Sequence, residues 1–159
     1  MAWSLLFVRQ LALTLWLGGL IVIDFVETPI RFRVPEVNRN QVVAIGRRVF
    51  AALNKLEVIA GAILLLANAL LLPHIRPSVL PLEQTATEVV AAMWLIALVQ
   101  LVWVRPRMSA LTRGLDLVNR DPADPRFAKI GRLHKVYSGL DLLKMLLGLA
   151  TLALWAYPH

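Results

Sequence analysis

The sequence predicts an all-α integral membrane four-helix bundle, and three observations predict it. Four apolar runs are each long enough to cross a bilayer. The basic residues collect in two of the three connections between those runs. The ionisable residues inside the runs recur at helical spacing. Apolar residues make up 58% of the 159-residue chain, with a mean hydropathy of +0.67, well above the usual soluble domain. They are bunched rather than spaced for amphipathic burial, and about 20 in succession span the hydrocarbon core as a helix. The runs cover residues 3–30, 49–72, 88–104 and 130–157 of one transmembrane domain, 1–159.

Taken in order, the first run has only Arg9 as a positive flank, outlasts a signal core and lacks a small-x-small cleavage site. It is therefore expected to be a retained helix. Gly18-Gly19 within it permits close helix packing, as does Gly61 in the second run. After Pro29 and Arg33-Val34-Pro35, Asn38 can cap a helix that continues through Gln41 to Ile45 into the second span. Residues 73–87, with Pro73, Pro77 and Pro81, are expected to form an irregular loop before the third run. Trp103 and Trp155 mark membrane interfaces at the ends of the third and fourth runs. Met108, Leu111, Leu115 and Val118 fall at helical spacing, which predicts an interfacial amphipathic helix over 108–118. The stretch 119–125, with Pro122 and Pro125, then breaks it.

The net charge of +7 is distributed along the chain in a way that sets orientation. Residues 31–48 carry five arginines, and 105–132 carry seven basic residues, Arg120 among them. The other side has Arg9 and Arg76 alone. The positive-inside rule puts the two basic connections in the cytoplasm and both termini outside, with a bacterial inner membrane the expected location. The lipid bilayer, with anionic lipid on its cytoplasmic face, is then the first partner. Phe32 and Phe127 alone lie among these arginines, too few for a stacking platform, so nucleic acid is not expected. The chain has no cysteine, which excludes disulfides, thiolate metal sites and cysteine nucleophiles.

An internal repeat is also legible. Trp16-Leu17 recurs as Trp94-Leu95, 78 residues later, and Pro29 with Arg31 is echoed by Pro106 with Arg107. Ile45-Gly46-Arg47 is matched by Ile130-Gly131-Arg132, and Glu57 and Asp141 lie 84 residues apart. The expectation is two tandem hairpins related by a pseudo-two-fold axis along the membrane normal. Four helices are few for alternating access, so a transport role would call for a homodimer.

The ionisable residues inside the runs are the candidate site. Asp24 and Glu27 share one face of the first helix, and Asn54 and Glu57 share one face of the second. His134, Tyr137, Asp141 and Lys144 form a single stripe on the fourth, and Gln100 is the contribution of the third. Each charge near the bilayer centre costs roughly 2.5–3.5 kcal/mol on insertion scales, so an interior site between helices 1, 2 and 4 is expected. Glu57 and Asp141 are its principal carboxylates, Glu27 and Asp24 auxiliary, and His134 a metal or haem ligand. Asn54, Tyr137, Lys144 and Gln100 support them. Four carboxylates against one buried ammonium leave room for a cation or a shared proton. Carboxylates plus one imidazole suit zinc, manganese or iron better than copper, and haem iron is a further option for His134. The competing readings are local ion pairs: Asp24 and Glu27 with Arg31 or Arg33, Glu57 with Lys55 or Lys144, Asp141 with Lys144. On that view His134 sits at the interface between Arg132 and Lys135.

Trp16-Leu17-Gly18-Gly19 before a helix-ending proline, Gly46 leading to Phe50, Asn54 and Glu57, and His134 early in the last span carry a resemblance. On these residues the chain resembles small four-helix membrane proteins similar to transmembrane protein 205. More loosely, it resembles the membrane domain of copper resistance protein D. The resemblance implies the helix layout, and its second member implies copper handling. Against copper stand the missing cysteine and the few methionines, Met93, Met108 and Met145 beyond the initiator. Three functions follow as expectations. The first is a bundle that binds a metal ion, haem or a proton-coupled small ligand; the second is an assembly subunit whose buried charges specify helix pairing; the third is a membrane oxidoreductase.

Overall fold

A computed structural model describes residues 2–119, 121 and 123–156. Arg120, Pro122, Tyr157 and His159, which entered the sequence reading, lie outside the described residues. Four helices result: α1 (Trp3–Arg31), α2 (Arg39–His74), α3 (Leu80–Thr112) and α4 (Arg126–Ala156). No strand occurs among the described residues. At 29 to 36 residues and about 1.5 Å per residue, each exceeds the roughly 30 Å of the hydrocarbon core. All four are long and apolar enough to cross a membrane.

The burial pattern is that of a membrane bundle. Phe7, Leu11, Leu15, Val22 and Phe25 on α1 are exposed, as are Leu56, Ile59, Ile63 and Leu66 on α2. Such surfaces are a liability in water and the normal state in lipid. Inside lie Leu13, Trp16, Leu17 and Leu20 of α1, Leu53, Ala60 and Leu64 of α2, and Val90, Met93 and Ala97 of α3. α1 packs along α2, α3 lies against both α2 and α4, and the α1–α4 seam is the loosest of the neighbouring contacts. Gly61 makes the closest approach possible: a Cβ there would fall 3.0 Å from Trp16 Cζ3 and against Trp94 as well.

Helix ends differ from the sequence reading for identifiable reasons. α2 begins at Arg39 rather than near 49, because Asn38 and Gln41 form a reciprocal capping box with bonds of 2.9 and 3.0 Å. α3 begins at Leu80 rather than 88, since Pro81 is tolerated in a first turn. The irregular loop therefore shrinks from 73–87 to the few residues after His74. α4 begins at Arg126 rather than 130, its first amide held by the Asp124 carboxylate at 2.8 Å. The separate interfacial helix over 108–118 does not form. Residues 105–112 are the last turns of α3, and Gly114, at φ +67°, then reverses the chain.

α1 and α3 each contain a wide, π-helical stretch: Val22–Glu27 and Gln100–Val104. Their hydrogen bonds reach five residues, from the Thr28 amide to Ile23 O and from the Arg105 amide to Gln100 O. Each stretch ends two residues before a proline, Pro29 or Pro106. Proline has no N–H and crowds the carbonyl four residues back, and a widened turn absorbs that misfit without ending the helix. The two stretches begin 78 residues apart, the spacing of the Trp-Leu echo.

Candidate functional site

The centre of the bundle holds a connected polar network drawn from all four helices. Glu57 on α2 is fully buried and accepts bonds from three of its neighbours. Trp16 Nε1 of α1 donates to Oε1 at 2.9 Å, and Asn54 Nδ2, one turn earlier on α2, donates to Oε2 at 2.5 Å. The Lys144 ammonium of α4 pairs with the same Oε1. Lys144 also lies 3.0 Å from Asp141 Oδ1, one turn back along its own helix. Gln100 Nε2 of α3 donates to that oxygen at 2.9 Å and to the Tyr137 carbonyl at 3.2 Å. The Tyr137 hydroxyl closes the circuit on Asn54 Oδ1 at 2.9 Å, its ring edge-on to Phe50.

Helical spacing explains why these groups meet. Asn54 and Glu57 are three apart, and Tyr137, Asp141 and Lys144 follow at four and three, so each set lies on the inward stripe of its helix. Gln100 opens the wide stretch of α3. Two carboxylates and one ammonium are 0–3% exposed here. The trio as drawn is one positive charge short of balance. Gln100 Oε1 is buried and accepts no hydrogen bond.

The remaining candidates are placed elsewhere. Asp24, on the wide stretch of α1, is half-buried and lies within electrostatic range of Asp141, Lys144 and Glu57. Glu27 turns to Arg31 at 3.2 Å, one turn on. The Arg31 guanidinium is buried over Gly46, where a Cβ would fall 2.8 Å from it. His134 is on an exposed face of α4, a correction to its assignment as a ligand. It shares the stripe of Tyr137, Asp141 and Lys144, but it lies nearer the start of α4, where the side chain is exposed. Lys55 is likewise exposed.

The Lys144 ammonium is paired with both the Glu57 and the Asp141 carboxylate. Among the described residues no group of three or more His, Asp or Glu is placed to hold a metal ion. The expected site between helices 1, 2 and 4 also gains α3, through Gln100.

Sequence reasoning missed a second buried ion pair. Arg9 of α1 and Glu83 of α3 form a two-pronged bridge at 2.6 and 3.0 Å, and the guanidinium stacks on Trp155 of α4 at 4.3 Å. Arg9 had the look of a topological flank, and Glu83 was assigned to a loop. The signal available was that both lie within a turn or two of apolar runs without a lipid-facing excuse. Outside the spans, Asp116 accepts bonds from Asn40 Nδ2 at 3.0 Å, Asn119 Nδ2 at 2.9 Å and the Val118 amide at 2.9 Å. These, Asn40 first, hold its carboxyl down at about 2.

Fold and site together define an integral membrane four-helix bundle with an ionic network buried at its centre. A family model described as "Domain of unknown function (DUF4149)" matches residues 11–115. The chain belongs to the DUF4149 family. The match covers Trp16, Asn54, Glu57 and Gln100 and ends before α4, which supplies Tyr137, Asp141 and Lys144. No curated protein and no solved structure matches the chain.

Proposed function

We propose that this chain is a cation-coupled membrane protein whose Glu57–Lys144–Asp141 centre binds and exchanges one positive charge, a proton or a small cation. The observation that carries the reading is the charge count: two carboxylates and one ammonium, all buried within four apolar helices. An uncompensated charge is expensive in hydrocarbon, so the favoured state of the centre holds one more positive charge. The wide stretches of α1 and α3 support exchange, since such turns mark positions where a helix can reseat. With the basic connections in the cytoplasm, Asp24 lies on the cytoplasmic half of α1 and is the natural entry point.

The test is an equilibrium count of bound charge in lipid nanodiscs. Wild type and Asp141→Asn are titrated across neutral pH, once in sodium and once in choline buffer. Wild type should bind about one more proton or sodium ion per chain than the variant, matching the surplus carboxylate. Coincident curves in both buffers would show that the centre exchanges nothing. The competing structural reading would then hold, and the network's reach into all four helices is the observation in its favour.

A further inference from the structure

The charge imbalance at the centre has a location. Of the two carboxylates, Glu57 is saturated, with partners on both oxygens from Trp16, Asn54 and Lys144. Asp141 is not. Both of its partners, Gln100 Nε2 and the Lys144 ammonium, meet the same oxygen, Oδ1. The Gln100 carbonyl beside it is fully buried and has no donor either. The Gln100 amide cannot simply be reversed. Its Nε2 serves two acceptors, Asp141 Oδ1 and Tyr137 O, and reversal would set oxygen against both. A buried carbonyl without a donor is destabilising, and this one belongs to the amide that donates to the surplus carboxylate, so it calls for a positive partner.

We propose that Gln100 Oε1 and the Asp141 carboxylate form the seat of one small monovalent alkali cation, with Asp24 on its approach from the arginine-rich end. This deepens the charge-exchange reading and rests on it: it names the occupant as a metal cation rather than a proton. The donors are all oxygen, which suits a hard ion and not a thiolate- or imidazole-seeking one. The surplus among the fully buried groups is a single negative charge, which a monovalent ion balances and a divalent ion overshoots. Lys144 already bridges Asp141 Oδ1 and Glu57, so the ion is a second positive partner for the Asp141 carboxylate. The first wide turn of α3 opens at Gln100 itself, and the matching turn of α1 carries Asp24. The two widened helices therefore supply the acceptor and the approach.

The test uses the full chain in nanodiscs at constant ionic strength, with sodium replacing choline, and follows thermal unfolding and sodium-23 NMR linewidth. Wild type should show a saturable rise in Tm and broadening of the sodium signal. Gln100→Leu should lose both responses while remaining folded, and Asp24→Asn should keep binding but slow sodium exchange. Should Gln100→Leu fail to fold, Gln100→Met serves as the substitute that fills the same volume without an oxygen. A Tm that does not change as sodium replaces choline, with a sodium-23 linewidth equal to that of empty nanodiscs and a proton still bound in the Asp141-dependent titration, would overturn the cation seat and leave the exchange reading standing. Identical behaviour with no such proton would remove both.

Discussion

Two buried ionic clusters sit in this bundle, and they are built on different principles. Near the end that carries the α2–α3 connection, Arg9 and Glu83 match one charge with one charge, through a planar two-pronged bridge capped by the Trp155 ring. Toward the arginine-rich end, Glu57, Lys144 and Asp141 set two charges against one and recruit neutral donors from every helix. The balanced pair is neutral, although Arg9 Nε is buried without a hydrogen-bond partner, and it works as a pin between α1 and α3. An unbalanced trio leaves a demand that protein groups do not meet. Burial is nearly the same in the two clusters, so it is stoichiometry that separates a structural ion pair from a candidate working site.

The strongest test of that contrast removes the one cation of the trio. Lys144→Met leaves two buried carboxylates facing each other without compensation. Breaking a buried pair from one side costs about 3–5 kcal/mol, and thermal unfolding in detergent should register a loss of that order. Adding Glu57→Gln should recover most of it, because the neutral amide keeps the bond to Trp16 or Asn54 while removing one uncompensated charge. If Lys144→Met unfolds no earlier than wild type, the trio is not held together by charge.

Gly61 lies one turn from Glu57, between the two clusters, and sharpens the comparison from the packing side. Both Trp16, which donates to Glu57, and Trp94, which donates to the Val58 carbonyl at 2.9 Å, press on it. Gly61→Ala drives a methyl into those rings and should cost about 1–3 kcal/mol, with altered tryptophan fluorescence. Gly18→Ala has nothing within 4 Å of the new methyl and should stay within about 0.5 kcal/mol of wild type. Equal effects at the two glycines would mean that the tryptophans are not seated where the contacts place them.

The fold was largely legible because a bilayer simplifies the code: length and apolarity sufficed for four spans. The capping box at Asn38 and Gln41 was readable too. What misled was proline and charge near the ends. Pro81 and Glu83 look like loop residues until Arg9, 74 positions away, is known to neutralise Glu83 inside the bundle. Pro106 looks like a terminus until the widened turn before it is seen to absorb the missing N–H. In the site, Glu57, Asp141, Lys144, Asn54 and Tyr137 stood out by spacing alone. Helix spacing shows which residues share a face and not how far along the helix that face stays covered or which local partner a side chain takes, and so His134 and Glu27 were drawn in. Trp16 was read as part of a repeat, since nothing in sequence reveals an indole N–H bonded to a carboxylate on another helix.

A smaller effect is expected at the balanced pair. Arg9→Met alone or Glu83→Leu alone leaves one buried charge, but the double variant removes both. Replacing a buried pair by apolar groups is often neutral or stabilising, so the double variant should unfold within about 1 kcal/mol of wild type, while each single variant falls well below it. The analogous exchange at the trio, Glu57→Leu with Lys144→Met, still leaves Asp141 buried and should remain destabilised. A double variant at Arg9 and Glu83 as damaged as its singles would show that this cluster, too, does more than pin two helices.

The smallest effect extends the comparison to a carboxylate in water. Asp116 is exposed, so its bonds to Asn40, Asn119 and the Val118 amide order a connection rather than hold the bundle together. Its folded value of about 2 lies below the ordinary aspartate value of 3.8. The folded connection therefore favours the ionised form. That contribution is fully present above 3.8 and is lost as pH falls through about 2. Acid proteolysis between those limits should cut the chain near 113–119 increasingly as pH drops, with the spans intact. Asn40→Ala removes the largest cause of the shift and a 2.7 Å acceptor for the Leu117 amide, so cutting should begin at a higher pH. The Glu57–Lys144–Asp141 centre is shielded from water by four helices and should be indifferent to Asn40→Ala. If the variant instead changes the Asp141-dependent titration, the connection is coupled to the buried centre, and the separation drawn between surface and core charge would have to be abandoned.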